Sequence, residues 1–63
     1  MSTQCMKDIL SYIITNGNFD SVNPLIEIDI DKMKKHFESL YNREEISESI
    51  STLMNIMSDM NND

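Results

Sequence analysis

Apolar residues recur at helical spacing in separate stretches of this chain, and that pattern limits it to a mainly α fold. In the first stretch the apolar positions lie three, four, seven and eight residues after the first of them, which places them on one face of a helix. These residues are Met6, Ile9, Leu10, Ile13 and Ile14. We predict a helix over residues 3–15, ended by Gly17 as a left-handed residue.

Two further helices are predicted at 31–41 and 43–60, so that residues 1–63 form one small three-helix domain. Asp31 is a suitable N-cap for the second helix. Asn42 and Glu45 form a capping-box pattern before the third helix, in which the Asn42 side chain accepts from the Glu45 amide. The third helix carries an apolar stripe, which Ile56 widens from just outside it. The stripe consists of Ile46, Ile50, Leu53, Met54, Met57 and Met60.

The connection between the first two helices divides into a loop and an ambiguous segment. Residues 16–24 hold the only glycine and the only proline of the chain, which predicts a loop. We expect Phe19 and Val22 to tuck down over one end of the core. In residues 25–30 isoleucine alternates with acidic residues, the period of a half-buried strand. Because a lone strand leaves its backbone unpaired, this segment is either a short strand paired with a second chain or an extended lead into the second helix.

The size of the chain favours association. It has 63 residues and one cysteine, so no disulfide framework supports its small core. Burial of apolar surface against a second chain is the simplest way to stabilise so small a core. We therefore expect a homodimer, with the apolar stripe of the third helix as the dimer or partner interface.

The charge balance predicts the kind of partner. Eleven acidic residues against five basic ones give a net charge of −6, which favours basic proteins and repels nucleic acid. We expect a non-enzymatic acidic regulatory or inhibitory protein that acts by protein–protein interaction, with a basic nucleic-acid-binding protein as a target. The expected partner-facing acids are Glu27, Asp29, Glu44, Glu45 and Glu48.

Catalytic and cofactor patterns are missing from the sequence. There is one histidine, His36, without a nucleophile motif such as Gly-x-Ser-x-Gly. A single glycine excludes a glycine-rich phosphate loop. Asp29, Asp31 and His36 lack the three- or four-residue spacing of helical metal ligands. We expect no enzymatic activity, no cofactor and no metal, and an exposed or structural His36.

The order of extended segment, helix, tight turn and helix over residues 26–60 resembles the ribbon-helix-helix family of dimeric repressors. That resemblance implies a dimer whose outward ribbon residues enter the major groove of DNA. The outward residues here would be Glu27 and Asp29, whose charge has the wrong sign for DNA. The alternative function that the resemblance implies is a dimeric DNA-binding repressor of ribbon-helix-helix type. Its expected DNA contacts are Lys32, Lys34, Lys35 and Arg43.

A second likeness involves the first helix. The pairs Ile9-Leu10 and Ile13-Ile14, then Gly17 and two short helices, are similar in outline to small acidic connector proteins of bacterial signalling and biofilm control. That likeness covers one helix pattern and the chain length. It implies a helical dimer that binds other proteins.

The sequence also predicts a compartment. No run approaches the roughly 20 apolar residues of a transmembrane helix, so we expect no membrane contact. Lys7 and Asp8 interrupt what would be the apolar part of a signal peptide. A single cysteine and six methionines are typical of a reducing environment, so we expect a cytoplasmic protein.

Overall fold

The computed structural model describes residues 3–61 and is mainly α. It contains helices α1 (Thr3–Asn16), α2 (Ile30–Phe37) and α3 (Arg43–Asn61). No strand occurs between residues 3 and 61. The predicted mainly α, three-helix architecture is confirmed, and the dimer stays a prediction. Within the same range, no helix is both long and apolar enough to cross a membrane.

Helix α1 contributes one face to the core and ends at a close approach. Cys5, Ile9 and Ile13, four residues apart, are fully buried. The N–H of Gly17 donates to the carbonyl oxygen of Ile13 at 2.7 Å. The prediction that Gly17 is left-handed is wrong, since its φ is not positive. A glycine is needed there for space, because a Cβ would lie 2.6 Å from the Ile13 oxygen and 3.2 Å from Cβ of Pro24.

Residues 25–30 form neither of the two structures that the sequence leaves open, a short strand or an extended lead-in. The amides of Ile26, Glu27 and Ile28 each donate to the carbonyl three residues earlier, at 3.0, 3.2 and 3.3 Å. These turns satisfy the backbone locally, so the segment is neither a strand nor an extended lead-in. Burial follows the turn period: Leu25 and Ile28 are buried, whereas Ile26 is 78% exposed.

Helix α2 is displaced from its predicted limits. Its N-cap is Asp29, not Asp31, and the Asp29 side chain accepts from the amide of Lys32 at 3.1 Å. The helix ends at Phe37, four residues before the predicted end. The amides of Leu40 and Tyr41 both donate to the Phe37 carbonyl at 2.9 Å, which closes the chain into a turn.

Helix α3 begins where the capping-box pattern predicts. The Glu45 amide donates to Oδ1 of Asn42 at 2.8 Å, and Nδ2 of Asn42 donates to Oε1 of Glu45 at 3.1 Å. Its buried face meets α1, α2 and the turns before α2. The core consists of Cys5, Ile9, Ile13, Leu25, Ile28, Met33, Phe37, Ile46, Ile50 and Leu53.

Candidate functional site

An apolar groove of about 610 Å³ lies between α1, α3 and the loop that follows α1. Most of its lining is aliphatic, aromatic or methionine side chains. Lys7 is the one charged residue that lines it within the described part of the chain, and the polar residues are Thr3 and Ser21. We call this feature the apolar groove.

The wall from α1 is a second apolar face beside the core face. Met6, Leu10 and Ile14 repeat every four residues, one position after the buried repeat of Cys5, Ile9 and Ile13, and line the groove. Leu10 is 38% and Ile14 59% exposed. The sequence predicts one shared helix face for Met6, Ile9, Leu10, Ile13 and Ile14. The adjacent apolar pairs at 9–10 and 13–14 indicate that the apolar face of α1 is wider than the face that packs in the core.

The wall from the loop consists of Phe19, Val22 and Pro24. Phe19 is 56% and Val22 75% exposed, so the prediction that they tuck over the core is wrong. Local hydrogen bonds shape this loop: Oδ1 of Asn18 accepts from the amide of Asp20 at 3.0 Å, and Oδ1 of Asn23 accepts from that of Leu25 at 3.1 Å. These bonds close tight turns within the loop. The apolar side chains of the loop line the groove beside these turns.

The wall from α3 comes from the second half of that helix. Ile56 is 47% and Met60 72% exposed, Met57 is half-buried, and Leu53 is buried. All four line the groove. Ile56, outside the predicted stripe, is therefore part of this surface.

The predicted interface stripe of α3 is divided by the structure. Ile46, Ile50 and Leu53 belong to the chain's own core. Met57 and Met60 line the groove together with the edge of Leu53. Met54 is 45% exposed and is not among the groove-lining residues.

The predicted partner-facing acids lie apart from the groove. Glu27, Asp29, Glu44 and Glu48 are exposed, and Glu45 is half-buried in the cap of α3. None of these five lines the groove. Two exposed acids that the sequence analysis did not single out, Asp20 and Asp59, directly adjoin the groove residues Phe19 and Met60 in sequence. We call Asp20 and Asp59 the flanking acids.

The predicted DNA contacts lie on a surface of mixed charge. Lys34, Lys35 and Arg43 line a second cavity of about 450 Å³, which Asp31 and Glu38 also line. Lys32 is exposed outside it. Acids interleaved with bases weaken the attraction for phosphates. The absence of a ribbon among residues 3–61 also removes the element that would enter the major groove.

An aromatic cluster lies around the junction of α1 and α2. The ring centroid of the exposed His36 is 4.8 Å from that of Phe37 and 5.5 Å from that of Tyr12. The Tyr41 hydroxyl donates to Asp8, and this bond raises the pKa of Tyr41 to about 12. Across the described residues, no three histidine, cysteine or acidic side chains are grouped as a metal site would need. We interpret this cluster as a structural contact.

Comparisons of the chain with family models, curated protein sequences and solved structures find no match. Most of the apolar side chains that line the groove are not part of the chain's own core. The apolar groove is the strongest candidate for a functional site.

Proposed function

We propose that this protein is a non-enzymatic regulator that binds another protein through the apolar groove. The observation that supports this is the amount of large apolar surface collected at one place. Six large hydrophobic side chains that line the groove are at least 38% exposed: Leu10, Ile14, Phe19, Val22, Ile56 and Met60. Large contiguous apolar patches on soluble proteins mark interaction sites, because covering them releases water from apolar surface.

The chemistry of the lining supports binding over catalysis. A catalytic cleft brings together a nucleophile or acid–base pair with perturbed pKa values. Among the described groove residues the polar groups are Lys7, Thr3 and Ser21, with no histidine, cysteine or carboxylate. Such a lining can hold an apolar face but offers no acid–base pair.

The charge supports a basic target. The chain has a net charge of −6, and Glu27, Glu44 and Glu48 are exposed. An acidic surface attracts basic proteins from a distance and repels nucleic acid. A nucleic-acid-binding protein covered by this chain would lose access to its ligand, so inhibition in the cytoplasm is the mode of action that we propose.

The homodimer predicted from the sequence is a second candidate use of the same groove. Ile46, Ile50 and Leu53 do not need a second chain for their burial, because they are already buried within one chain. A dimer would have to use Met57, Met60 and the exposed wall of α1. Measurement of the oligomeric state, described below, separates this use from partner binding.

The proposal is tested by comparing two single variants in affinity capture from the native cell. Ile14→Glu places a charge in the groove at a position 59% exposed. Ile26→Glu makes the same change at a position 78% exposed that does not line the groove. We expect the wild type and the Ile26 variant to retain the same proteins and the Ile14 variant to lose them. Equal capture by both variants, with unchanged circular dichroism, would refute the proposal.

A further inference from the structure

We infer that the occupant of the apolar groove is an amphipathic helix of the partner protein, with basic residues beside its apolar face. This inference rests on the proposed function and deepens it. It is supported by the dimensions of the groove, the character of its side chains and the charge around it.

The dimensions of the groove match one face of a short helix. On α1, the apolar wall from Met6 to Ile14 covers eight residue steps, about 12 Å at 1.5 Å per residue. On α3, the wall from Leu53 to Met60 covers seven steps, about 10 Å. Helices that enter grooves use anchors at positions i, i+3 or i+4, and i+7, which span about 10 Å. One such set of anchors is therefore about as long as each wall.

The volume and the side chains suit apolar anchors. The groove of about 610 Å³ has room for about 20 water molecules at about 30 Å³ each. Several large side chains of a helix would displace this water. Met57 and Met60 are unbranched and adaptable, so they can fit anchors of different shape.

The charges around the groove favour a basic helix. The flanking acids Asp20 and Asp59 are exposed and directly adjoin the groove residues Phe19 and Met60 in sequence. Lys7 is the single base in the described lining, and the whole chain has a net charge of −6. Lysine or arginine beside the anchors would be attracted by the negative field of the whole chain.

A second copy of this chain fits the groove less well. Each copy has a net charge of −6, so pairing brings two negatively charged molecules together. A symmetric dimer also places the same surface of both copies in contact, and two concave grooves facing each other leave unfilled space. A convex helix fills that space.

The test uses three synthetic peptides of about 18 residues, long enough for helix formation. The first has leucine at the i, i+3, i+4 and i+7 positions and lysine elsewhere. The second keeps the leucines and replaces lysine with glutamate, and the third scrambles the first. Titration calorimetry should show that the first binds at least about tenfold more tightly than the others, a difference of about 1.4 kcal/mol. Ile14→Glu should weaken it by a similar factor, and Ile26→Glu should leave it unchanged.

Several results would overturn the inference. Equal binding of the scrambled peptide would show that charge alone attracts it, and equal binding of the glutamate peptide would show that a basic flank is not required. A free protein that sediments as a dimer, and becomes a monomer with Ile14→Glu, would identify a second copy as the occupant. If Ile14→Glu loses captured cellular proteins but no peptide binds, the groove remains a protein site and the helix is refuted.

Discussion

The Tyr41 hydroxyl donates a hydrogen bond of 2.5 Å to Oδ2 of Asp8, which joins α1 to the turn before α3. The other carboxylate oxygen, Oδ1, accepts from Nε2 of Gln4 at 2.9 Å. The bond from Tyr41, and then the bond from Gln4, lower the pKa of Asp8 because both favour its charged form. The same contact raises the pKa of Tyr41 to about 12, since ionised tyrosine loses the donor.

These two shifts predict a dependence of stability on pH. The raised pKa of Tyr41 contributes stability that is complete below its ordinary value of 10.0 and lost as the pH rises toward about 12. The lowered pKa of Asp8 contributes stability above its ordinary value of 3.8, lost as the pH falls through the folded-state value. We expect Tyr41→Phe to be less stable than the wild type at neutral pH.

Urea unfolding across the pH range checks this prediction. The difference between the wild type and Tyr41→Phe should shrink at both the acid and the alkaline extremes. Tyr12→Phe is the matched control, because it leaves the Asp8 contact intact. A constant difference between the wild type and Tyr41→Phe at every pH would contradict the assigned cause.

Ser49 is a buried hydroxyl whose removal should stabilise the fold. Its side chain is fully buried, and Oγ has no hydrogen-bond partner within the part of the chain that the structure describes. A buried unsatisfied polar group costs about 1–3 kcal/mol. Ser49→Ala should therefore raise the free energy of unfolding by about 1 kcal/mol more than Ser51→Ala, an exposed control that gains only helix propensity. Equal effects in denaturant titrations would show that the hydroxyl is satisfied.

Gly17 should not tolerate a side chain. An alanine Cβ there would lie 2.6 Å from the carbonyl oxygen of Ile13 and 3.3 Å from Cδ1 of Ile28. Overpacking of this kind costs about 1–3 kcal/mol, partly offset by the lower entropy of the unfolded chain. We expect Gly17→Ala to lower the free energy of unfolding by about 1–2 kcal/mol. Ser11→Ala, on the exposed face of α1, should have little effect in the same thermal melts.

Helical periodicity predicts α1 and α3 well because each has a long repeat on its buried face. The capping box of Asn42 and Glu45 is a local interaction, so its residues alone are sufficient to identify it. The segment 25–30 is different: its alternating isoleucines fit a strand, but turns begun at Asn23 and Pro24 satisfy its amides first. The groove could not be predicted, because periodicity does not say how much of a wide apolar arc the rest of the chain covers.

Substitution of the two candidate caps of α2, Asp29 and Asp31, tests where this helix begins. Asp29 accepts from the amide of Lys32, whereas Asp31 lies in the first turn of the helix. Loss of an N-cap side chain costs about 0.5–2 kcal/mol, and loss of a first-turn acid about 0.3–1 kcal/mol. In urea titrations, Asp29→Ala should lower the free energy of unfolding more than Asp31→Ala does. A larger loss of stability from Asp31→Ala would show that Asp31 is the N-cap, as predicted from the sequence.

The same substitution at Ile50 and at Ile14 should have different effects, because the first residue lies in the core and the second lines the groove. Ile50 is 6% exposed in the core, and Ile14 is 59% exposed at the groove. A buried unpaired charge costs more than about 4 kcal/mol, against a total of about 3 to 9 kcal/mol for a chain of this length. We expect Ile50→Asp to unfold the chain at every protein concentration and Ile14→Asp to leave it folded, as read by circular dichroism. Unfolding of the Ile50 variant that reverses at high concentration would show that a second chain shares this core, contrary to the burial of Ile50 within one copy.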